Sequence, residues 1–127
     1  HLQERGLEVK DFGCYDKSSC DYPDFAEKAC KLVQQGEATY ASLVCGTGIG
    51  MCIAANKMKG IRAALCGDTF SAHFTRAHND ANVMTLGARV VGPGLAEFIM
   101  DEFLKTPFEG GRHARRIAKI AAIEEVQ

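Results

Sequence analysis

Apolar positions along the chain change their rhythm at intervals that separate short extended segments from helices. Phe25, Ala29, Leu32 and Val33 recur at i, i+4, i+7 and i+8, which predicts an amphipathic helix capped by Asp24 and closed by Gly36. Leu95, Phe98, Ile99 and Phe103 share one face of a helix over 95–105 that Pro107 ends, and Ile117, Ile120 and Ala121 mark a last helix over 111–127. Residues 51–58 and 69–79 also have helical composition. Between these segments lie short, nearly uncharged runs at 40–45, 61–65 and 83–86, which read as buried strands. Leu7, Val9 and Phe12 form a further extended run, followed by a polar, turn-rich stretch over 13–23. His1 to Gly6 reads as the end of a helix closed by a glycine. Strand onsets near residues 7, 40, 61 and 83 alternate with helices and predict right-handed β-α-β crossovers, hence a parallel α/β sheet covered on both faces. Ligands of such sheets bind at the carboxyl ends of the strands, here the loops after Phe12, Cys45, Cys66 and Leu86.

Composition narrows the function classes. The 127 residues fit a single domain, 1–127, and 46% hydrophobic with 24% charged residues is ordinary for a soluble globular chain. A formal charge of −1 provides no global basic field for nucleic acid or an anionic membrane, and leaves room only for a local basic patch. There is no apolar run near the length needed to span a bilayer and no charged-then-apolar leader, so a soluble cytoplasmic protein is expected. The six cysteines, at 14, 20, 30, 45, 52 and 66, contain no C-x-x-C pair and are expected to be reduced thiols. His1, His73, His78 and His113 do not pair with cysteines at finger-like spacing, so no metal is expected.

Three constellations could carry chemistry. Cys45-Gly46-Thr47-Gly48-Ile49-Gly50 places a thiol at a strand end, followed by glycines whose backbone N–H groups can converge on an oxyanion or phosphate. It is not the dinucleotide fingerprint, because the third glycine comes one residue early. The same N–H groups should favour the Cys45 thiolate, making it a base or nucleophile; the plainer alternative is a structural cysteine beside a tight turn. The second constellation, Arg112-His113-Ala114-Arg115-Arg116, puts cations at the start of the last helix while Glu124 and Glu125 stand at its end. That order opposes the helix dipole unless an anion sits among the arginines, and Arg112 and Arg116 share one face. The third is His78-Asn79 near a helix exit, where an imidazole can move a proton and an amide can hold a hydroxyl; His73 lies inside the same helix and ranks lower.

Taken together, Cys45-Gly-Thr-Gly-Ile-Gly50, Ala54-Ala-Asn-Lys57, Gly60-Ile-Arg-Ala63, Arg76-Ala-His-Asn-Asp80, Gly87-Ala-Arg-Val-Val-Gly92 and Glu109-Gly-Gly-Arg-His113 resemble the type B ribose-5-phosphate isomerases. The family also includes isomerases of galactose 6-phosphate and allose 6-phosphate. The resemblance implies a Rossmann-like three-layer α/β/α sandwich, working as a homodimer or homotetramer with active sites at the subunit interface, without metal or organic cofactor. It implies Cys45 as the base that moves a proton through a cis-enediolate, and Thr47 with the backbone of Gly46, Gly48, Ile49 and Gly50 as the anion hole. His78 matches the ring-opening acid and Asn79 a sugar-hydroxyl contact. Arg89, Arg112 and Arg116 match substrate or phosphate contacts, and Tyr22 a pocket-lining position. Family members begin with a strand and an Asp-His loop that precede the position matching His1, so the first strand of the family is expected to be absent here. Two rival readings accompany an isomerase of ribose 5-phosphate: a non-catalytic phosphate- or nucleotide-binding module, and an isomerase of a six-carbon sugar phosphate.

Overall fold

The computed structural model describes residues 1–14 and 20–127. They form strands β1 (Ala41–Cys45), β2 (Ala63–Leu65) and β3 (Val83–Gly87), with helices α1 (Tyr22–Gln34), α2 (Ile49–Ala55), α3 (Thr69–Asn79), α4 (Pro93–Lys105) and α5 (Arg112–Glu125). The strands make one parallel sheet in the order β1-β3-β2. β3 is central because all five of its residues are buried, as an uncharged run flanked by helices on both faces requires. Successive side chains alternate between the faces. Val83 joins Ala26, Cys30, Leu43, Met51, Ala55 and Ile61 under α1 and α2, whereas Met84 and Leu86 join Ala72, Ile99 and Phe103 under α3 and α4. The result is the expected parallel α/β sandwich of three layers. No helix among the described residues is long and apolar enough to cross a membrane.

The register sets the two ends of the sheet. Cys45 lies beside Gly87 at the carboxyl end, and Ala41 and Ala63 flank Val83 at the amino end. At the amino end Arg62 ties the elements together. Its backbone N–H donates to Asn82 Oδ1 at 2.8 Å, and its guanidinium donates to the carbonyls of Asn79 and Asp80. The exit of α3 is held from inside as well. The buried Arg76 donates to Asp80 Oδ1 at 2.8 Å and to the Ala81 carbonyl at 2.7 Å, with its guanidinium over the rings of Tyr40 and Phe103. Asp80 then turns the chain with a φ of 45°, in the left-handed region that Asp tolerates better than most residues.

Several local expectations need correction. Residues 7–12 are not a strand: no described segment runs alongside to share a ladder with them, and an extended run without a partner is not a sheet element. Residues 15–19 of the loop expected over 13–23 lie outside the described residues. The first helix starts at Tyr22 rather than after Asp24, because Pro23, with its fixed φ and missing N–H, suits a first turn; Asp24 lies within that turn. Pro93 likewise starts α4 two residues before Leu95. The opening residues form a single 3₁₀ turn, Gln3–Arg5, closed by Gly6 at a φ of 79°. Cys14 and Cys20 are joined as a disulfide, so the reduced reading holds for Cys30, Cys45, Cys52 and Cys66 only.

Met84 is fully buried at the centre of β3. Met84→Ala should lower stability by about 2–5 kcal/mol, through lost transfer energy plus an unfilled cavity, measured by urea denaturation. A loss below about 1 kcal/mol would show that the core under α3 and α4 collapses around the deletion.

Candidate active site

The carboxyl end of β1 builds the first cluster. After Cys45 the chain turns through Gly48, whose φ of 80° suits glycine, and Gly48 and Gly87 both stand where a side chain would not fit. A Cβ on Gly87 would meet the Thr47 carbonyl oxygen at 2.5 Å, and one on Gly48 would meet Leu65 at 2.6 Å. The loop is fastened to the segment after β3: the N–H groups of Ala88 and Arg89 donate to the carbonyls of Cys45 and Gly46 at 2.9 and 3.0 Å. The buried Thr85 hydroxyl donates to the Gly48 carbonyl at 2.8 Å.

This geometry acts on the thiol. Desolvation pushes the Cys45 thiol up, but the backbone N–H groups of Met51, Gly48, Thr47 and Gly50 together outweigh it, and its pKa lies below the ordinary thiol value. The Gly48 N–H donates to Sγ at 3.2 Å. Burial sends two buried thiols the opposite way, Cys30 to about 11 and Cys66 to about 12. Tyr22, from the first turn of α1, lays its ring against the backbone of Gly50, where a Cβ would meet the phenol carbon at 2.5 Å. The Arg89 side chain lies over Gly46, within 3.6 Å of where a Cβ would sit. The Thr47 hydroxyl accepts from the Ile49 N–H at 3.2 Å. Cys45, Gly46, Thr47, Gly48, Ile49, Gly50, Tyr22 and Arg89 therefore stand together.

His78, Asn79, Arg112 and Arg116 stand elsewhere. α3 leaves the carboxyl end of β2 and runs back, so His78 and Asn79 lie at the amino end, beside Arg62 and the start of β3. Four strand steps of ~3.3 Å, or ~13 Å of sheet, separate that level from Cys45. There the imidazole of His78 stacks on His113, with ring centroids 4.0 Å apart and 10° between planes, and the tilted Phe74 ring has its centroid 4.8 Å away. Glu109 Oε2 lies 3.4 Å from His78 Nε2. Asn79, Arg112 and Arg116 are exposed, and neither arginine has an ion-pair partner among the described residues.

Sequence reasoning gave Glu109 and His113 no role beside His78, although both fall in quoted motifs, because 31 and 35 residues separate them from it and no local spacing announces the meeting. Three ligating side chains, His78, Glu109 and His113, have atoms within 4.8 Å of one another. Their disposition suits proton and anion chemistry better than a cation. Parallel stacked rings point their in-plane lone pairs side by side rather than at one centre. His113 is moreover pulled below the ordinary imidazole range by desolvation and by the charges of His78, Arg116 and Arg112, against the opposing pull of Glu109.

The chain belongs to the Ribose/Galactose Isomerase family, whose pattern it matches over residues 1–120. It is 48% identical over 125 residues to ribose-5-phosphate isomerase B of Escherichia coli, covering 98% of this chain and 84% of that protein. Its fold superimposes on the ribose-5-phosphate isomerase B of Clostridium thermocellum with a TM-score of 0.96 at 52% identity, covering 98% of this chain and 84% of that one. The Mycoplasma genitalium enzyme, solved with bound ribulose-5-phosphate, gives a TM-score of 0.95 at 43% identity, covering all of this chain and 85% of that one.

The contrast among thiols is directly measurable. At pH 7.5, iodoacetamide should alkylate Cys45 well before Cys30 or Cys66, followed by mass spectrometry of the folded protein, because only the thiolate reacts. Faster labelling of Cys30 or Cys66 would show that the loop N–H groups do not favour the Cys45 thiolate.

Proposed function

We propose that the chain is an aldose-ketose isomerase that interconverts ribose 5-phosphate and ribulose 5-phosphate. The observation that carries this reading is the half-exposed Cys45 thiol held below its ordinary pKa by a ring of backbone N–H groups. A proton on the carbon beside a carbonyl is weakly acidic. A base at that carbon and donors at the developing oxyanion are the two things the reaction needs, the base contributing ~100–10,000-fold. Cys45 takes the C2 proton of the open-chain aldose and returns a proton to C1. Thr47 and the N–H groups of Gly46, Gly48, Ile49 and Gly50 stabilise the cis-enediolate between the two steps.

His78 donates the proton that opens the furanose, Asn79 holds a sugar hydroxyl, and Arg112 and Arg116 bind the phosphate with Arg89 and Tyr22 lining the pocket. Fixing the phosphate keeps the reacting carbons against the thiol. The reaction needs no metal or organic cofactor. We place the enzyme in the cytoplasm, in keeping with its ribose-5-phosphate isomerase B relatives.

Because Cys45 and His78 occupy opposite ends of the sheet, a complete site combines the Cys45 cluster of one copy with the His78 cluster of another. We therefore propose a homodimer, or a homotetramer built from such dimers. Exposed Ile49, Ile53, Phe70, Val90, Leu95 and Phe98 supply apolar surface for that contact.

Conversion of ribose 5-phosphate to ribulose 5-phosphate by the full-length protein tests the activity, and Cys45→Ala should abolish it with folding intact. A variant that kept a near-normal rate would move the base elsewhere. Complementation tests the shared site. Cys45→Ala and His78→Ala, each inactive alone, should recover about a quarter of wild-type activity when mixed and allowed to exchange subunits, since half the dimers are mixed and one of their two sites is whole. No recovery from verified mixed dimers would place both residues in one copy's site.

A further inference from the structure

We propose that Glu109 is a positioning residue for ring opening: its carboxylate holds the Nε2 edge of His78 and leaves Nδ1 to deliver the proton. The inference rests on the assignment of His78 as the ring-opening acid. The segment between α4 and α5 is pinned to the exit of α3 where the Glu109 N–H donates to the Ala77 carbonyl at 2.9 Å, one residue before His78. That bond sets Glu109 Oε2 3.4 Å from His78 Nε2.

His113 stacks on the imidazole with ring centroids 4.0 Å apart, and the Phe74 ring lies beside it at 4.8 Å, tilted by 52°. With Nε2 facing Glu109, the Nδ1 edge is the one left for a ligand. A carboxylate on one ring nitrogen fixes the tautomer and orientation of the ring, which decides which atom carries the transferable proton.

In the step itself, the ring reacts as an imidazolium with Nε2–H on Glu109. The Nδ1 proton passes to the furanose oxygen O4, the C1–O4 bond breaks with its electron pair on O4, and the C1 hydroxyl gives its proton to water as the aldehyde forms. Solvent returns a proton to Nδ1, so protons balance and nothing is oxidised.

Ribulose 5-phosphate separates this role from the chemistry at Cys45. Its fifth oxygen is phosphorylated, so it has no furanose form, and enolisation from it bypasses ring opening. Deuterium entering C1 of ribulose 5-phosphate in D2O therefore reports the thiol step alone.

The test uses the full-length protein carrying Glu109→Gln, which preserves size and removes the charge. The kcat for ribose 5-phosphate should fall ~10-fold, while deuterium exchange into ribulose 5-phosphate stays within about two-fold of wild type. Glu109→Gln combined with His78→Ala should be no slower than His78→Ala alone, because Glu109 acts through His78. Equal losses of turnover and exchange, no loss of either, or independent losses in the double variant would overturn the proposal. The outcome with His78→Ala tells the two assignments apart. If it depresses exchange as much as turnover, the ring-opening role of His78 fails and that of Glu109 with it. If it separates the two while Glu109→Gln does not, only the role of Glu109 fails.

Discussion

Val83 to Gly87 pairs with β1 on one side and β2 on the other, all three strands running the same way. Parallel strands need crossovers, so α2 and α3 must each carry the chain back along the sheet before the next strand begins. That constraint gives the molecule two chemically different ends. Loops leaving strands collect at one, with the Cys45 turn and Arg89. Helix exits collect at the other, with His78, Asn79 and the start of α5. A thiol at a strand end and an imidazole at a helix exit cannot meet within one such chain, whatever their side chains do.

The charge order of α5 has a second cause beside its arginines. Its acidic end is not left facing the helix dipole unaided. The Glu124 carboxylate accepts the Gly60 N–H at 3.0 and 3.1 Å, and Glu125 pairs with Lys59 at 2.8 Å. These contacts dock the helix at the amino end of the sheet, although none of its residues is buried. The arginines at its other end are thereby presented rather than packed, with their charge uncompensated by any described carboxylate.

Much of this was legible in the sequence, for identifiable reasons. β1, β2 and β3 stood out because runs such as Tyr40 to Cys45 are nearly uncharged, and the helices because their apolar residues recur with helical spacing. The glycine turn was legible because a thiol and three glycines in six residues have few other uses. The run over 7–12 misled because extended propensity describes a segment, whereas a strand is a pairing between segments. The start of the first helix is masked because Asp24 has the side chain of a cap, while Pro23, one residue earlier, already suits the first turn. Glu109 and His113 were invisible as partners of His78 because their meeting depends on where the chain returns after α4.

The loop from Cys45 to Gly50 is fastened at Cys45, Gly46 and Gly48 to β3 and the residues that follow it, through backbone and Thr85 hydroxyl bonds that exist without any ligand. Its conformational entropy is therefore surrendered when the chain folds, not when a substrate arrives. An anion entering the proposed hole would meet a loop already held in place and would need no loop closure to assemble it. Under the proposed phosphate assignment, the binding energy of that distant group would act on the substrate itself, immobilising its flexible carbon chain rather than the protein.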